Sequence, residues 1–332
     1  MHKKGPPVIL IVLDTLRKRS VDMHSGVFTN LQAFARDSLV FERCIANSCW
    51  TIPSHASLFT GFSPREHGAH HILKSRPWFD GFPPPRRLSN DFTTLAEVFK
   101  ANGYRTAAVV SNFMALNKGY NLNQGFQLYD WSKSIGCIYT ELPVKPLLHF
   151  INFMTNLKNK YTLPYRKAED INDSVYSLLQ GLAPEPFFLF VNYMDAHEPY
   201  RPSPPFLSHF SDVVFPNISL LIKKVFYHFR FVSKETIGFF NKLLYKGEIA
   251  YLDHHLGKLF EHLKKLGIYD DALIIITSDH GELFYEHGYE GHRVPLYEGV
   301  THIPLFIKFP HEQVTGSEQQ HITLADLYPT IL

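Results

Sequence analysis

The segment VILIVLD, residues 8–14, decides the fold because it is an unbroken apolar run that ends at a carboxylate. Six consecutive apolar residues, Val8–Leu13, are typical of a strand buried on both faces, as in a parallel sheet covered by helices. Asp14 follows at the carboxyl end of this strand, where open parallel sheets bind their ligands. Asp14 is therefore a candidate metal ligand, and an Asp that caps the next turn is an equally good interpretation of this position alone.

Three further apolar segments repeat the pattern, and each delivers polar residues at its carboxyl end. These are Arg105–Val110 before Asn112, Phe187–Tyr193 before Asp195 and His197, and residues 272–277 before Asp279 and His280. Helical patterns lie between the strands, at residues 30–38, 93–102, 169–182 and 248–266. Strands that alternate with helices predict a single α/β domain with a doubly wound, mainly parallel sheet and right-handed crossovers.

Composition narrows the class of protein. The chain has 332 residues, 45% of them apolar and 19% charged, which suits an ordinary globular core. A formal net charge of +2 gives no global field that would favour nucleic acid. Three cysteines are too few for a disulfide framework and lack zinc-site spacing. The first apolar run is too short for a signal peptide, and no apolar run could span a membrane, so a cytoplasmic location is expected.

A second segment, CWTIPSHASLFTG at residues 49–61, supplies a candidate nucleophile. Pro53 is tolerated in the first turn of a helix, and the residues after it can continue one. Thr51 would then lie where backbone N–H groups converge and the helix dipole favours negative charge. Its hydroxyl is a candidate nucleophile, and an N-cap role for the same hydroxyl is the alternative.

Residues 51–61 resemble the sulfatase signature Cys/Ser-x-Pro-Ser-Arg-x-x-x-x-Thr-Gly, whose first residue carries the nucleophile, usually as formylglycine. This chain has Thr51 at that position, which cannot become formylglycine, and His55 where the family has Arg. Thr at this position is similar to the phosphoethanolamine and lipoteichoic-acid transferases of the wider alkaline-phosphatase superfamily. The resemblance implies a sulfatase-like α/β fold and an enzyme that acts on phosphate or sulfate esters.

The resemblance runs from Val8 to Leu332 and includes an element at residues 194–200, MDAHEPY. In the family the His of this element contacts the transferred group, which implies that role for His197 and makes Asp195 a candidate substrate-binding residue. Asn112 lies where sulfatases typically carry a Lys and a His that hold the sulfate, and it can still donate to an oxyanion.

Two later motifs complete the resemblance. TSDHGE at residues 277–282 resembles the family's second metal element, with His280 where many sulfatases have Asn. GHRVPLYEG at residues 291–299 resembles a substrate-binding element, with Arg293 in place of Lys and His292 before it. The chain stops inside a helix-like motif, so the small C-terminal sheet domain of full-length relatives is expected to be missing.

The strand and helix ends predict one metal centre. Asp14, Thr51, Asp279 and His280 should meet at one edge of the sheet around a single divalent ion. Zn²⁺ and Mn²⁺ accept mixed nitrogen and oxygen ligands, whereas Ca²⁺ and Mg²⁺ prefer oxygen alone. We therefore favour Zn²⁺ or Mn²⁺, with Ca²⁺ or Mg²⁺ as the alternative. A second ion is not favoured.

The expected chemistry is attack by Thr51 on an ester, with a covalent intermediate, while His197 protonates the leaving oxygen or activates the second nucleophile. The candidates for stabilising the charged ester oxygens are Arg293, His292, Asn112 and His55. Thr51 has one hydroxyl, so its ester must be displaced by a new nucleophile, which favours phosphorus over sulfur. A headgroup transferase and a catalytically weak relative that binds an anion or a partner are the alternatives.

Two regions carry no readable motif. We interpret residues 130–166 and 203–246 as insertions that line the substrate site. The second has aromatic and basic residues interleaved, which would suit peripheral contact with lipid or an acidic partner. Aromatic side chains packed inward with solvated charges are the favoured interpretation. Oligomeric state and the identity of the substrate are not readable from this sequence.

Overall fold

The computed structural model describes residues 5–21, 28–70, 85–132, 165–182, 185–208, 210, 233–293 and 295–332. The strands are β1 (Val8–Leu13), β2 (Leu39–Ile45), β3 (Arg105–Val110), β4 (Leu128–Asp130), β5 (Phe187–Tyr193), β6 (Leu273–Thr277), β7 (Leu283–Phe284), β8 (Glu290–Gly291), β9 (His302–Lys308) and β10 (Gly316–Thr323). Eight of them form one sheet in the order β10-β2-β9-β6-β1-β5-β3-β4, and β7 pairs with β8. β9 is antiparallel to both neighbours and the other pairings of the large sheet are parallel.

Helices cover both faces of the sheet. They are α1 (Thr29–Arg36), α2 (Thr51–Thr60), α3 (Pro64–His67), α4 (Leu95–Ala101), α5 (Ala168–Leu182), α6 (Pro204–Leu207), α7 (Lys234–Lys265), α8 (Glu298–Thr301) and α9 (Leu327–Ile331). Alternate residues of β1 enter different cores, since successive side chains of a strand point to opposite faces. Ile9 and Ile11 cluster with residues of α1, α5 and α7, whereas Leu10 and Val12 cluster with residues of α2, α4 and α9. The predicted doubly wound, mainly parallel α/β fold is confirmed.

The strand register aligns the carboxyl ends of the central strands. Leu13 of β1 pairs with Tyr193 of β5, and Val12 pairs with Thr277 of β6. On the far side of β5, Val110 of β3 pairs with Asn192. The residues that follow these strands therefore emerge at the same edge of the sheet, which is the condition for a shared site.

Several boundaries differ from those expected. The helix predicted at residues 248–266 is the second half of α7, which begins at Lys234. Strands β4 and β10 were not predicted. They form the two edges of the large sheet, and most residues of β10 are exposed, so its sequence is polar and resembles a loop. The interiors of the two predicted insertions, residues 133–164 and 211–232, lie outside the described residues. Within the described residues, none of the helices combines the length and the apolar character needed to cross a bilayer.

Candidate metal centre and ester-binding site

Two buried carboxylates follow adjacent strands, and each is held by one of its oxygens. Asp14 Oδ2 accepts a hydrogen bond from Asn112 Nδ2 at 2.9 Å. Asp279 Oδ1 accepts from the backbone N–H groups of Thr15 at 3.3 Å and His280 at 2.9 Å. The other oxygens, Asp14 Oδ1 and Asp279 Oδ2, are buried and accept no hydrogen bond from the described residues. Each carboxylate therefore has one oxygen fixed and one oxygen available to a ligand.

The turn after β1 is held in an unusual conformation. Thr15 has φ of 61°, in the left-handed region that a β-branched residue rarely adopts. Its hydroxyl lies 2.6 Å from the carbonyl oxygen of Ala196 and 2.7 Å from that of Asp14, and its single proton is donated to these acceptors. Its backbone N–H donates to Asp279 Oδ1. This geometry links the ends of β1, β5 and β6, and it orients the Asp279 carboxylate.

His280 presents its Nε2 atom to both unpaired oxygens. Its Nδ1 lies 3.0 Å from the carbonyl oxygen of Gly281, and because a carbonyl only accepts, Nδ1 carries the proton. Nε2 of the neutral ring therefore has its lone pair available. It lies 3.3 Å from Asp279 Oδ2 and 3.8 Å from Asp14 Oδ1. A fixed tautomer of this kind is typical of a metal-binding histidine.

Thr51 is the first residue of α2, and Trp50, with extended backbone, is the N-cap. Thr51 therefore does not cap the helix. Its Oγ1 lies 3.4 Å from His280 Nε2 and 3.5 Å from Asn112 Nδ2, and the residue is 5% exposed. The hydroxyl thus reaches the carboxylate cluster from the N-terminus of a buried helix, where the dipole favours negative charge.

The donor set fits a cation. One ligand atom from each of Asp14, Asp279 and His280 lies within 4.8 Å of the others, so a single ion can contact all three. Burial, followed by the neighbouring charge of Asp279, raises the pKa of Asp14. Burial likewise raises the pKa of Asp279 and lowers that of His280 to about 3. The two carboxylates are fully buried and close together, so a bound cation would relieve their repulsion.

Two more histidines, His292 and His197, extend the cluster from His280. The ring centroids of His280 and His292 are 4.5 Å apart, and those of His292 and His197 are 5.1 Å apart. His197 Nδ1 lies 2.6 Å from the carbonyl oxygen of Glu198, which leaves Nε2 for chemistry. Burial lowers the pKa of His197, but the carboxylates of Asp14 and Glu282 outweigh it and raise that pKa overall. The ring is therefore favoured as a proton donor.

Two other predicted residues, Arg293 and His55, lie around this centre. The Arg293 guanidinium lies over the ring of Trp50, 5.6 Å from the ring centroid. Trp50 directly precedes Thr51 in the sequence. His55 Nδ1 is 2.9 Å from the Thr51 carbonyl oxygen and 3.6 Å from Asp279 Oδ2. His55 is fully buried, so it contacts the Asp279 carboxylate from the interior rather than from the solvent side.

Asp195 contacts the start of α5. Its Oδ1 accepts a hydrogen bond from the Ala168 N–H, at the start of α5, at 3.2 Å. Burial raises its pKa to about 7, and the charged groups that act on it most are Lys167 and Glu248. The structure thus brings Asp14, Thr51, Asp279, His280 and Asn112 together, but it separates Asp195 from them.

Two residues of the site were not singled out from the sequence. Glu282 is buried, lies 3.3 Å from His292 Nδ1 and accepts a hydrogen bond from Tyr200 at 3.3 Å. Trp50 supports Arg293 through its ring. Both lie in segments that carried the quoted motifs, and an acidic residue two positions after His280 was the available signal for Glu282.

Comparison with known proteins identifies the family of the chain. Residues 6–332 match the family described as Sulfatase. Bovine arylsulfatase K is 24% identical over 358 residues, which cover 99% of this chain and 62% of that protein. An arylsulfatase of Clostridium perfringens is 22% identical over 376 residues, which cover 98% of this chain and 74% of that protein. The crystal structure of a phosphonate monoester hydrolase of Agrobacterium radiobacter superposes with a TM-score of 0.68 at 20% identity, over 98% of this chain and 73% of that one. The chain spans less than two thirds of the length of the bovine relative.

Proposed function

Since the chain belongs to the sulfatase family, we propose that it is a metal-dependent hydrolase of phosphate or sulfate esters with Thr51 as the nucleophile. One observation carries the proposal: the Thr51 hydroxyl lies 3.4 Å from His280 Nε2, beside two buried carboxylates with unpaired oxygens. The helix N-terminus adds a positive potential at the same point. The names of the relatives, arylsulfatases and a phosphonate monoester hydrolase, support the same class of substrate.

Asp14, Asp279, His280 and Thr51 would hold the ion. A bound divalent ion would lower the pKa of the Thr51 hydroxyl and polarise a non-bridging oxygen of the ester. Two carboxylates, one imidazole and one hydroxyl form a mixed nitrogen and oxygen set, which favours Zn²⁺ or Mn²⁺ over Ca²⁺ or Mg²⁺.

The side chains of the chain perform the proton transfers. The Thr51 hydroxyl first gives its proton to bulk water. Its Oγ1 then forms a bond to the central phosphorus or sulfur atom, the bond to the leaving oxygen breaks, and His197 Nε2 gives its proton to that oxygen. In the second half, His197 takes a proton from the incoming water, the hydroxide oxygen bonds to the central atom, and Thr51 leaves as the alkoxide that starts the next turnover.

Three side chains would bind the charged ester oxygens during this exchange. Arg293 and His292 approach from the segment after β8, and Asn112 approaches from the end of β3. Asn112 also fixes Asp14, so its amide serves the ion-binding carboxylate and the substrate together. His55 would act through Asp279 rather than on the substrate, since it is buried behind that carboxylate. Asp195 lies outside this set of contacts.

The test compares two matched substitutions in α2. Thr51→Val removes the proposed nucleophile and keeps the shape of the side chain, while Thr60→Val removes a buried hydroxyl that bonds only within the helix and to the following turn. Each variant is assayed with Zn²⁺ or Mn²⁺ on nitrophenyl phosphate, a phosphate diester, a phosphonate monoester and nitrophenyl sulfate. Thr51→Val should lose the activity that Thr60→Val keeps, and activity in Thr51→Val would refute the nucleophile.

Mass spectrometry after acid quenching adds a direct measurement. A phosphorylated or sulfated peptide that contains Thr51 is expected from the wild type and not from Thr51→Val. An alcohol acceptor added to the reaction separates hydrolysis from transfer, because a transferase passes the group to the alcohol. An absence of both turnover and labelled Thr51 would leave the anion-binding alternative.

A further inference from the structure

The loop that carries His197 is held by residues outside the ester-binding site. We call residues 195–201, between β5 and α6, the His197 loop. Residues 165–168, at and just before the start of α5, run beside it. The Tyr165 hydroxyl lies 3.3 Å from the carbonyl oxygen of His197 and 3.2 Å from that of Pro199, and it donates to these acceptors. Tyr165 is 2% exposed, so its hydroxyl has little access to competing water.

A buried ion pair holds the end of the same loop. Lys167 Nζ lies 2.8 Å from Glu248 Oε2 and 3.4 Å from the carbonyl oxygen of Arg201. The Arg201 N–H donates to the other oxygen, Glu248 Oε1, at 2.5 Å. Lys167 is 7% exposed and Glu248 is fully buried. Burying two charges is costly, so such a pair is weak evidence for stability and better evidence that one geometry is being specified.

The beginning of the loop is fixed by the same segment. The Ala168 N–H, which begins α5, donates to Asp195 Oδ1 at 3.2 Å. The loop is thus held at its first residue, at two carbonyl groups in its middle and at its last residue. Four of these five contacts come from residues 165–168, and the fifth comes from Glu248 in the middle of α7.

We propose that Tyr165, together with the Lys167–Glu248 pair, positions His197 for proton transfer to the leaving oxygen. Tyr165 touches the backbone of His197 and not the substrate, so it is a positioning residue. This inference rests on the proposed function for the role of His197, whereas the contacts that hold the loop do not depend on it. A proton donor must lie within hydrogen-bonding distance of the leaving oxygen, and a displacement of 1 Å is enough to impair it.

The leaving group provides a readout that a general loss of stability does not give. Nitrophenolate departs without a proton, whereas phenolate is a poorer leaving group and depends on one. Tyr165→Phe should lower kcat about tenfold for the phenyl ester and less than twofold for the nitrophenyl ester of the same phosphonate, with KM unchanged. Tyr269→Phe is the matched control, since Tyr269 is also 2% exposed and its hydroxyl bonds to Asp37 instead. Equal losses for both esters, or no loss, would overturn the inference.

Amide hydrogen exchange tests the contacts without any turnover. Peptides that cover residues 195–201 should exchange about fivefold faster in Tyr165→Phe than in the wild type or Tyr269→Phe. Glu248→Gln should speed exchange at the Arg201 end of the loop. If the wild type cleaves neither ester, the proposed function fails, and the exchange rates still decide whether the loop is held as described. Unchanged exchange in both variants would overturn the positioning role even if activity falls.

Discussion

Replacing Asp279 with Asn should remove most of the thermal stabilisation that divalent ions give to this protein. The reasoning starts from Asp14 Oδ1 and Asp279 Oδ2, two buried oxygens without hydrogen bonds from the described residues. An ion that binds only the folded state adds about 2.7 kcal/mol at a free concentration of one hundred times its Kd. A chain of 332 residues has an unfolding entropy of about 0.7 kcal/mol per kelvin. The expected increase in Tm is therefore about 4 °C.

The same arithmetic gives the size of the loss. Asp279→Asn keeps the shape of the side chain but removes its charge, and we expect binding about a hundredfold weaker. At the same ion concentration the stabilisation then falls to about 0.4 kcal/mol, and the increase in Tm falls to about 0.6 °C. If Asp279→Asn kept a larger part of the increase in Tm, Asp279 would not be a direct ligand.

The assay is thermal unfolding with and without Zn²⁺, Mn²⁺, Ca²⁺ or Mg²⁺, after treatment with a chelator. Asp253→Asn is the control, because Asp253 is also buried but accepts its hydrogen bonds from Asn30 and Leu31 at the start of α1. This variant should unfold at a lower temperature and keep the full increase in Tm with the ion. An equal increase in Asp279→Asn and the wild type, or none in the wild type with all four ions, would refute the metal centre.

Three other changes have distinct expected results. Thr51→Ser should retain turnover at about one tenth of the wild-type kcat, since the hydroxyl remains but is less restricted in rotation, and steady-state kinetics would measure this. Lys308→Met should lower the free energy of unfolding by about 3 kcal/mol, because the three N–H donors of the ammonium group lie within reach of four backbone carbonyl oxygens. It should not change kcat, since Lys308 pairs with Ile274 near the start of β6, at the opposite edge of the sheet from the site. Asp130→Asn should cost about 1 kcal/mol at pH 7 through the lost contact with Arg166, which lies 3.0 Å away. Burial raises the pKa of Asp130, but hydrogen bonds from Ser132 and the charge of Arg166 outweigh burial and lower that pKa overall. The difference in unfolding free energy between Asp130→Asn and the wild type should therefore disappear when denaturation is measured at pH values below the pKa of Asp130.

The sequence predicted the parts of the site that follow directly from strand ends. Val8–Leu13 reads as a buried strand because all six residues are apolar, and the structure has those bounds. Asp14 and Asp279 then emerge at the same edge because β1 and β6 are parallel neighbours. Local pattern was sufficient here, since the residues that directly follow buried strands of a parallel sheet lie at its carboxyl edge.

Contacts between distant segments were beyond the reach of the same patterns. Lys167 and Glu248 are 81 positions apart, and neither sits at a strand end or in a quoted motif. Asp195 shows a different limit of the sequence pattern. Its place after a buried strand suggested a substrate contact, but its carboxylate accepts from Ala168 at the start of α5. Which face of a loop a side chain takes depends on the helix that packs against it, and no periodicity encodes that choice.

The choice of threonine at position 51 is consistent with the rest of the site. A β-branched side chain in a helix has few allowed rotamers, so its hydroxyl loses little freedom when it is directed at one point. Thr51 begins α2, and its Oγ1 lies between His280 Nε2 and Asn112 Nδ2. The two neighbours are themselves fixed, His280 by the Gly281 carbonyl and Asn112 by Asp14. If Thr51 is the nucleophile that we propose, it is already oriented and requires no rearrangement when the ester arrives. This preorganisation is the property that Thr51→Ser would weaken while leaving the chemistry intact.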